Sequence, residues 1–201
     1  GHGLGAAPNL ILVNGVTTAN NWRVGTDALT SWTYRINLEG NAGESSQASV
    51  WNSTAPTSSV FSIGTSSSVS DSGIEHTAYC FKSTKGFSKF GKYTGNASTS
   101  GPMVYLGFKP AFVMIKRRDT TGNWHMYDNK RDVTNVVETA IQANTTAVEF
   151  TTNNKIDFVS NGFKIRAGNE TTTNASGGIY IYLAFAENPL VTSTGVPATA
   201  R

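Results

Sequence analysis

Apolar and polar residues alternate in short runs along this chain, and almost no stretch keeps a helical period. In Trp32-Thr33-Tyr34-Arg35-Ile36-Asn37-Leu38 the even positions are apolar or aromatic and the odd ones polar, so the even ones are expected to face inward. Runs rich in β-branched and aromatic residues, bounded by Gly, Asn, Ser and Pro, predict strands at Asn9–Val13, Asn21–Val24, Trp32–Leu38, Val60–Ile63 and His76–Lys82. The second half predicts Phe87–Thr94, Met103–Leu106, Phe112–Arg117, Trp124–Tyr127, Ala147–Phe150, Ile156–Val159, Gly162–Ile165 and Ile179–Phe185. The last of these is apolar throughout, which predicts a central strand covered on both faces. Only Val133–Ala143 has any helical pattern. Thr134, Val136, Val137 and Thr139 weigh against a helix, so it reads as strand or loop.

The pattern occurs twice. Leu4-Gly5-Ala6-Ala7-Pro8 and the following Leu10–Val13 recur as Leu106-Gly107-Phe108-Lys109-Pro110 and Phe112–Ile115, and Asn21-Trp22 recurs as Asn123-Trp124. Phe61-Ser62-Ile63 recurs as Phe163-Lys164-Ile165 at the same spacing. The register then slips by about two residues, aligning Ala78-Tyr79-Cys80-Phe81 with Tyr182-Leu183-Ala184-Phe185, and the polar stretch Gly168–Gly178 is the natural place for that insertion. Short strands with turn signals between them and no helices imply sandwiches or barrels. The expected fold is therefore all-β, with two tandem antiparallel β-sandwich repeats at 1–85 and 86–190 and a tail at 191–201. One larger sandwich with pseudo-twofold symmetry is the alternative. The stretch Gly86–Asn96 has no counterpart in the first copy. The first unit is thus expected to lack its N-terminal strand, as a piece of a longer repetitive protein would, leaving a gap for a neighbouring chain or domain.

Composition sharpens this picture. Only 14% of residues are charged, 10% are aromatic and the net charge is +3, the balance of a rigid β protein with a neutral polar surface. That small excess does not argue for nucleic acid. The basic cluster Lys116-Arg117-Arg118, with Lys130-Arg131 nearby, reads as a charged hairpin end that keeps an edge soluble, with polyanion binding as the rival reading. No apolar run approaches the roughly 20 residues of a membrane helix, so no membrane insertion is expected. The single cysteine, Cys80, is expected in a buried strand, where a free thiol acts as a small apolar group.

Candidate chemistry is sparse. His76 and Cys80 share a strand face but stand about 13 Å apart, too far to act as a pair. His125 and Asp128 have no nucleophile in a recognisable turn beside them, and no Gly-x-Ser-x-Gly elbow is present. Asp119–Asn123 and Asp128–Asp132 carry too few carboxylates for calcium and read as turns. Glu39 and Glu44 are merely close along a loop. No catalytic residue, metal or cofactor is therefore expected. Asn-x-Ser/Thr triplets start at Asn52, Asn96, Asn144, Asn169 and Asn174, as composition alone would produce. Among aromatics, Trp22 and Trp124 occupy equivalent places and are expected to pack in the core. Trp32, Tyr34 and Trp51 have no counterparts in the second copy, which makes them the candidate ligand-binding residues, although Trp32 and Tyr34 also fit core burial.

Several of these segments together resemble repeats in the tail-fibre and virion structural proteins of tailed bacteriophages. They are His2–Ile11, Asn21–Val24, Trp51–Phe61, Ala78–Phe81, Gly86–Asn96 and Phe185-Ala186-Glu187-Asn188-Pro189. The resemblance spans about residues 1–190, and Ala28–Gln47 departs from it as a variable region would. It implies a virion protein, assembled in the host cytoplasm and acting outside the cell, as a homo-oligomer (a trimer in such fibres) among other virion proteins. The implied function is a distal tail-fibre domain attaching to host-surface glycans. A capsid decoration or fibre-shaft repeat is the alternative.

Overall fold

The computed structural model describes residues 1–191 and 197–198, with side chains over 1–189. The protein is all-β apart from one helical turn, and every strand pairing is antiparallel. It divides into two compact units, Gly1–Lys82 and Ser83–Arg201. The boundary falls at Lys82/Ser83 rather than at Lys85/Gly86. Ser83 belongs to the second unit because its hydroxyl accepts the Phe90 amide and Thr84 bridges Ser88. Most of the tail at 191–201 lies outside the described residues.

The first unit holds β1 (Leu10–Gly15), β2 (Arg23–Thr26), β3 (Tyr34–Asn37), β4 (Ser45–Ser46), the single turn α1 (Ala48–Trp51) and β5 (His76–Phe81). Its sheet runs β4-β3-β2-β1-β5. Alternation along β1 sends Ile11 and Val13 to one face, where they meet Val50, Trp51 and Val69, with Trp32, Phe61 and Cys80 packed around them. Leu10, Val24 and Ile36 are buried on the opposite face. A four-residue helix is far too short to be stable alone. Tertiary burial holds α1, since Val50 and Trp51 are both fully covered, and Asn52 in the left-handed region ends it.

Val60–Ile63, expected as a strand, is not one. Thr57 and Val60 close a tight turn, and just beyond, Gly64 and Ser66 donate their amides to the carbonyls of Val50 and Ser49. Gly64 is needed there because a Cβ would lie 2.3 Å from Ser49 O. The chain just after the segment is thus held by the helical turn rather than by a strand.

The second unit holds β6 (Ser88–Thr94), β7 (Met103–Tyr105), β8 (Pro110–Arg117), β9 (His125–Asp128), β10 (Val137–Gln142), β11 (Phe150–Val159), β12 (Gly162–Ile165) and β13 (Ile179–Ala186). A backbone pair, β14 (Leu190–Val191) with β15 (Pro197–Ala198), comes after them. The eight-stranded sheet runs β6-β13-β8-β9-β10-β11-β12-β7. All eight strands contribute to one core, among them Tyr93, Val104, Ile115, Tyr127, Ala140, Ile156, Phe163 and Tyr182, so the sheet curls around it nearly as a barrel. The ambiguous 133–143 segment supplies β10. Of the strand expected at 147–150 only Phe150 is in a strand, and the one expected at 156–159 is the second half of the ten-residue β11. Strand order is shared between the units. The run β5-β1-β2-β3-β4 in the first takes the same path as β13-β8-β9-β10-β11 in the second, as the sequence repeat requires.

Candidate functional site

The residues expected to contact a ligand do not form one surface. Trp51 is fully buried in α1, and its ring meets the Trp32 ring edge-on at 5.9 Å and 88°. Both rings lie over Gly25, where a Cβ would come within 2.7 Å of each, so only glycine leaves room for the pair. Trp51 is thus corrected from candidate binder to core residue, because its indole presents no face to solvent. Trp32 is half-buried and packs into the same cluster from the turn before β3, not from the strand itself. Tyr34 is half-buried at the start of β3, which pairs with the short β4.

The sheet's accessible aromatic pair is a different one. Trp22 stacks on Tyr79 with centroids 5.9 Å apart and planes 25° off parallel. Trp22 is half-buried and Tyr79 is 49% exposed. Two backbone contacts hold the tryptophan: its N–H donates to Glu39 Oε2 at 3.0 Å and its carbonyl accepts from Leu38 N at 3.1 Å. Tyr79 is held by β5, opposite half-buried Leu12 on β1. The result is a pre-ordered, partly apolar surface with an exposed carboxylate beside it. Its repeat equivalent, Trp124, is 1% exposed, so equivalence in sequence did not mean equal burial, and the expectation that Trp22 is core is corrected. The available signal was Tyr79 itself, a large aromatic on the face of β5 that does not carry Cys80.

The second unit offers a second surface. An open cleft of about 230 Å³ is lined by Ser83, Thr84, Lys85, Ser88, Lys89 and Leu106. Beside it Tyr105 is 63% exposed. Lys89 donates to the Tyr105 carbonyl at 2.8 Å and sits 5.3 Å from the ring centroid. This lysine is fixed by its neighbour and adds a cation–π contact to the surface.

The basic cluster is spent internally. Lys116 is buried, and burial lowers its ammonium to a pKa of about 8. Arg117 pairs with Asp119 at 3.0 Å and lies over the Tyr180 ring, while Arg118 is buried. Arg131 bridges Asp128 and Glu149. The carboxylates are engaged too: Glu44 accepts the Thr30 amide and hydroxyl, and Asp132 accepts the amides of Glu138 and Thr139. Among the described residues no group of three or more His, Cys, Asp or Glu could hold a metal. No helix among them is long and apolar enough to cross a membrane.

His125 is a structural histidine. It is buried at the start of β9, its Nε2 lies 3.1 Å from Gln142 Nε2, and Phe150 meets it edge-on. Burial depresses its pKa from 6.5 to about 4. The folded state therefore resists a proton that the unfolded chain accepts, and stability falls as pH drops from 6.5 towards 4. The expected loss is at most about 3 kcal/mol, read as a sloping unfolding midpoint for the second unit over that window. His125→Leu should flatten the slope. An ordinary imidazole titration near 6.5, followed by NMR, would contradict it.

Residues 1–189 match a family model described as a domain of unknown function (DUF7483). No curated protein and no solved structure matches.

Proposed function

We propose, for a chain that belongs to this DUF7483 family, a non-enzymatic role: attachment of a bacteriophage virion to host-surface glycans, with the Trp22–Tyr79 pair as the contact. The observation that carries this reading is the stacked, partly exposed pair beside the first unit's sheet. A pyranose presents a face of C–H groups that packs on such rings, while its hydroxyls need polar neighbours, and Glu39 stands beside Trp22. The phage context rests on the sequence resemblance. One shallow contact binds weakly, and several copies on a trimeric fibre would multiply it without new contacts.

The test is a glycan array probed with the intact chain, followed by titration of any hit. Trp22→Ala and Tyr79→Ala should each weaken binding about tenfold, since one aromatic contact contributes about 1–1.5 kcal/mol. Trp32→Ala should act only through stability. An array without hits, or affinity unchanged in both variants, would reject the reading.

A second reading, an assembly role as capsid decoration or fibre-shaft repeat, is favoured by one observation: β5 is an edge strand whose sole strand neighbour among the described residues is β1. A density map of the assembled particle decides between them, according to whether the Trp22–Tyr79 face or the β5 edge is covered.

A further inference from the structure

The two sheets can be compared strand by strand, and they differ in one place. In the second unit β13 is central, with β8 on one side and β6 on the other. In the first unit β5 takes the place of β13 and β1 that of β8, but among the described residues nothing takes the place of β6.

The backbone parity agrees in both. Glu75 O accepts from Val16 N and Phe81 O from Asn9 N, so the odd-numbered residues of β5 aim their backbone groups at β1. His76, Ala78 and Cys80 therefore aim theirs at the open side. In the second unit Ile179 O accepts from Arg118 N on the β8 side. On the β6 side Gly178 O accepts from Gly95 N, and Ala186 N donates to Phe87 O. With Tyr79 at the place of Leu183, these are the same odd and even roles. Burial agrees: Tyr182, Leu183 and Ala184 are at most 7% exposed, whereas Ala78 is exposed and Tyr79 is 49% exposed.

From this we infer that the outer edge of β5 is a strand-acceptor site. Its partner is an extended segment with the chemistry of β6, supplied by another unit of this kind. β6 shows what the site requires. In Ser88-Lys89-Phe90-Gly91-Lys92-Tyr93-Thr94 the odd residues face β13 with their backbone. Tyr93 stacks on Tyr180 at 5.1 Å and 17°, Phe90 meets Phe185 edge-on at 5.8 Å, and Gly91 leaves room for the Tyr182 ring, which a Cβ would approach to 2.8 Å. On β5 the incoming tyrosine falls opposite His76, the place of Tyr180. The incoming phenylalanine falls opposite Tyr79, the place of Leu183. Main-chain bonds supply the affinity and the two aromatic positions fix the register. The inference is argued from sheet pairing and burial and does not require the attachment reading, with which it shares Tyr79.

The test uses the intact chain and a synthetic peptide of residues 87–96. On addition, the amides of His76, Ala78 and Cys80 should gain hydrogen-exchange protection while those of Thr77 and Tyr79, already bonded to β1, stay unchanged. Ala78→Pro removes an outward N–H only and should weaken binding at least about tenfold. N-methylation of the peptide at Lys89, Gly91 or Tyr93 should abolish binding, and at Phe90 or Lys92 should not, which keeps the test decisive if the proline variant fails to fold. A scrambled peptide binding equally well, protection appearing only on β13, or self-association through β5 that the peptide cannot compete with would each overturn the inference.

Discussion

Trp51→Ala should unfold the first unit or leave it barely stable. Trp51 is fully buried at the centre of a small core, and Trp32, Val50 and Ile11 would all face the cavity left behind. Truncating a buried tryptophan costs about 3–5 kcal/mol, a large share of the total stability of a domain this size. The expected readout is a fall of more than about 12 °C in the midpoint of the first unit, with amide protection lost on β1 and β5. The α1 turn, which depends on burial of Val50 and Trp51, should be lost with them. Trp51→Phe should cost much less, because it keeps most of the apolar volume and removes an indole N–H that is buried without a partner. A midpoint moved by less than about 4 °C in the alanine variant would show that the ring is not central.

The second large effect is expected at Asn174. Its side chain is fully buried, and its amide serves three backbone groups. Oδ1 accepts from Asn96 N at 2.9 Å, while Nδ2 donates to Ser98 O at 2.8 Å and Ala167 O at 2.7 Å. One side chain thus ties the end of β6 to the turn before β13. Asn174→Ala strands these groups at a cost of about 3–4 kcal/mol, seen as a lower midpoint for the second unit. Asn174→Asp should be nearly as damaging, since it supplies no donor and sets a carboxylate against two carbonyls. A neutral Asn174→Asp variant would mean that the two carbonyls find other donors.

Much of the fold was legible because alternation and turns are local. β1, β8 and β13 are strands in which burial and propensity agree, and β5 forms on propensity although none of its residues is fully buried. The failures have non-local causes. Trp51 looked free because it lacked a repeat partner. A tryptophan in a single helical turn, however, is placed by the cavity it fills, and neither propensity nor spacing reports that. Val60–Ile63 has strand composition but no strand partner among the described residues, and the chain just after it bonds to the carbonyls of α1. The cluster at Lys116–Arg118 suggested a solvated surface, yet two of its three members are buried and the third is ion-paired. For the candidate site, the sequence marked aromatics, but of the three it chose Trp51 is fully buried and Trp32 and Tyr34 are half-buried. Trp22 was set aside by analogy with Trp124, whereas the open edge at β5 leaves Tyr79 exposed and Trp22 stacks on it.

The most direct measurement tracks the indole N–H resonances of the four tryptophans while a glycan found on the array is titrated into the intact chain. If the Trp22–Tyr79 pair is the contact, the Trp22 resonance moves with saturation while those of Trp51 and Trp124, both buried, stay in place. Saturable binding that leaves Trp22 unmoved would contradict the account.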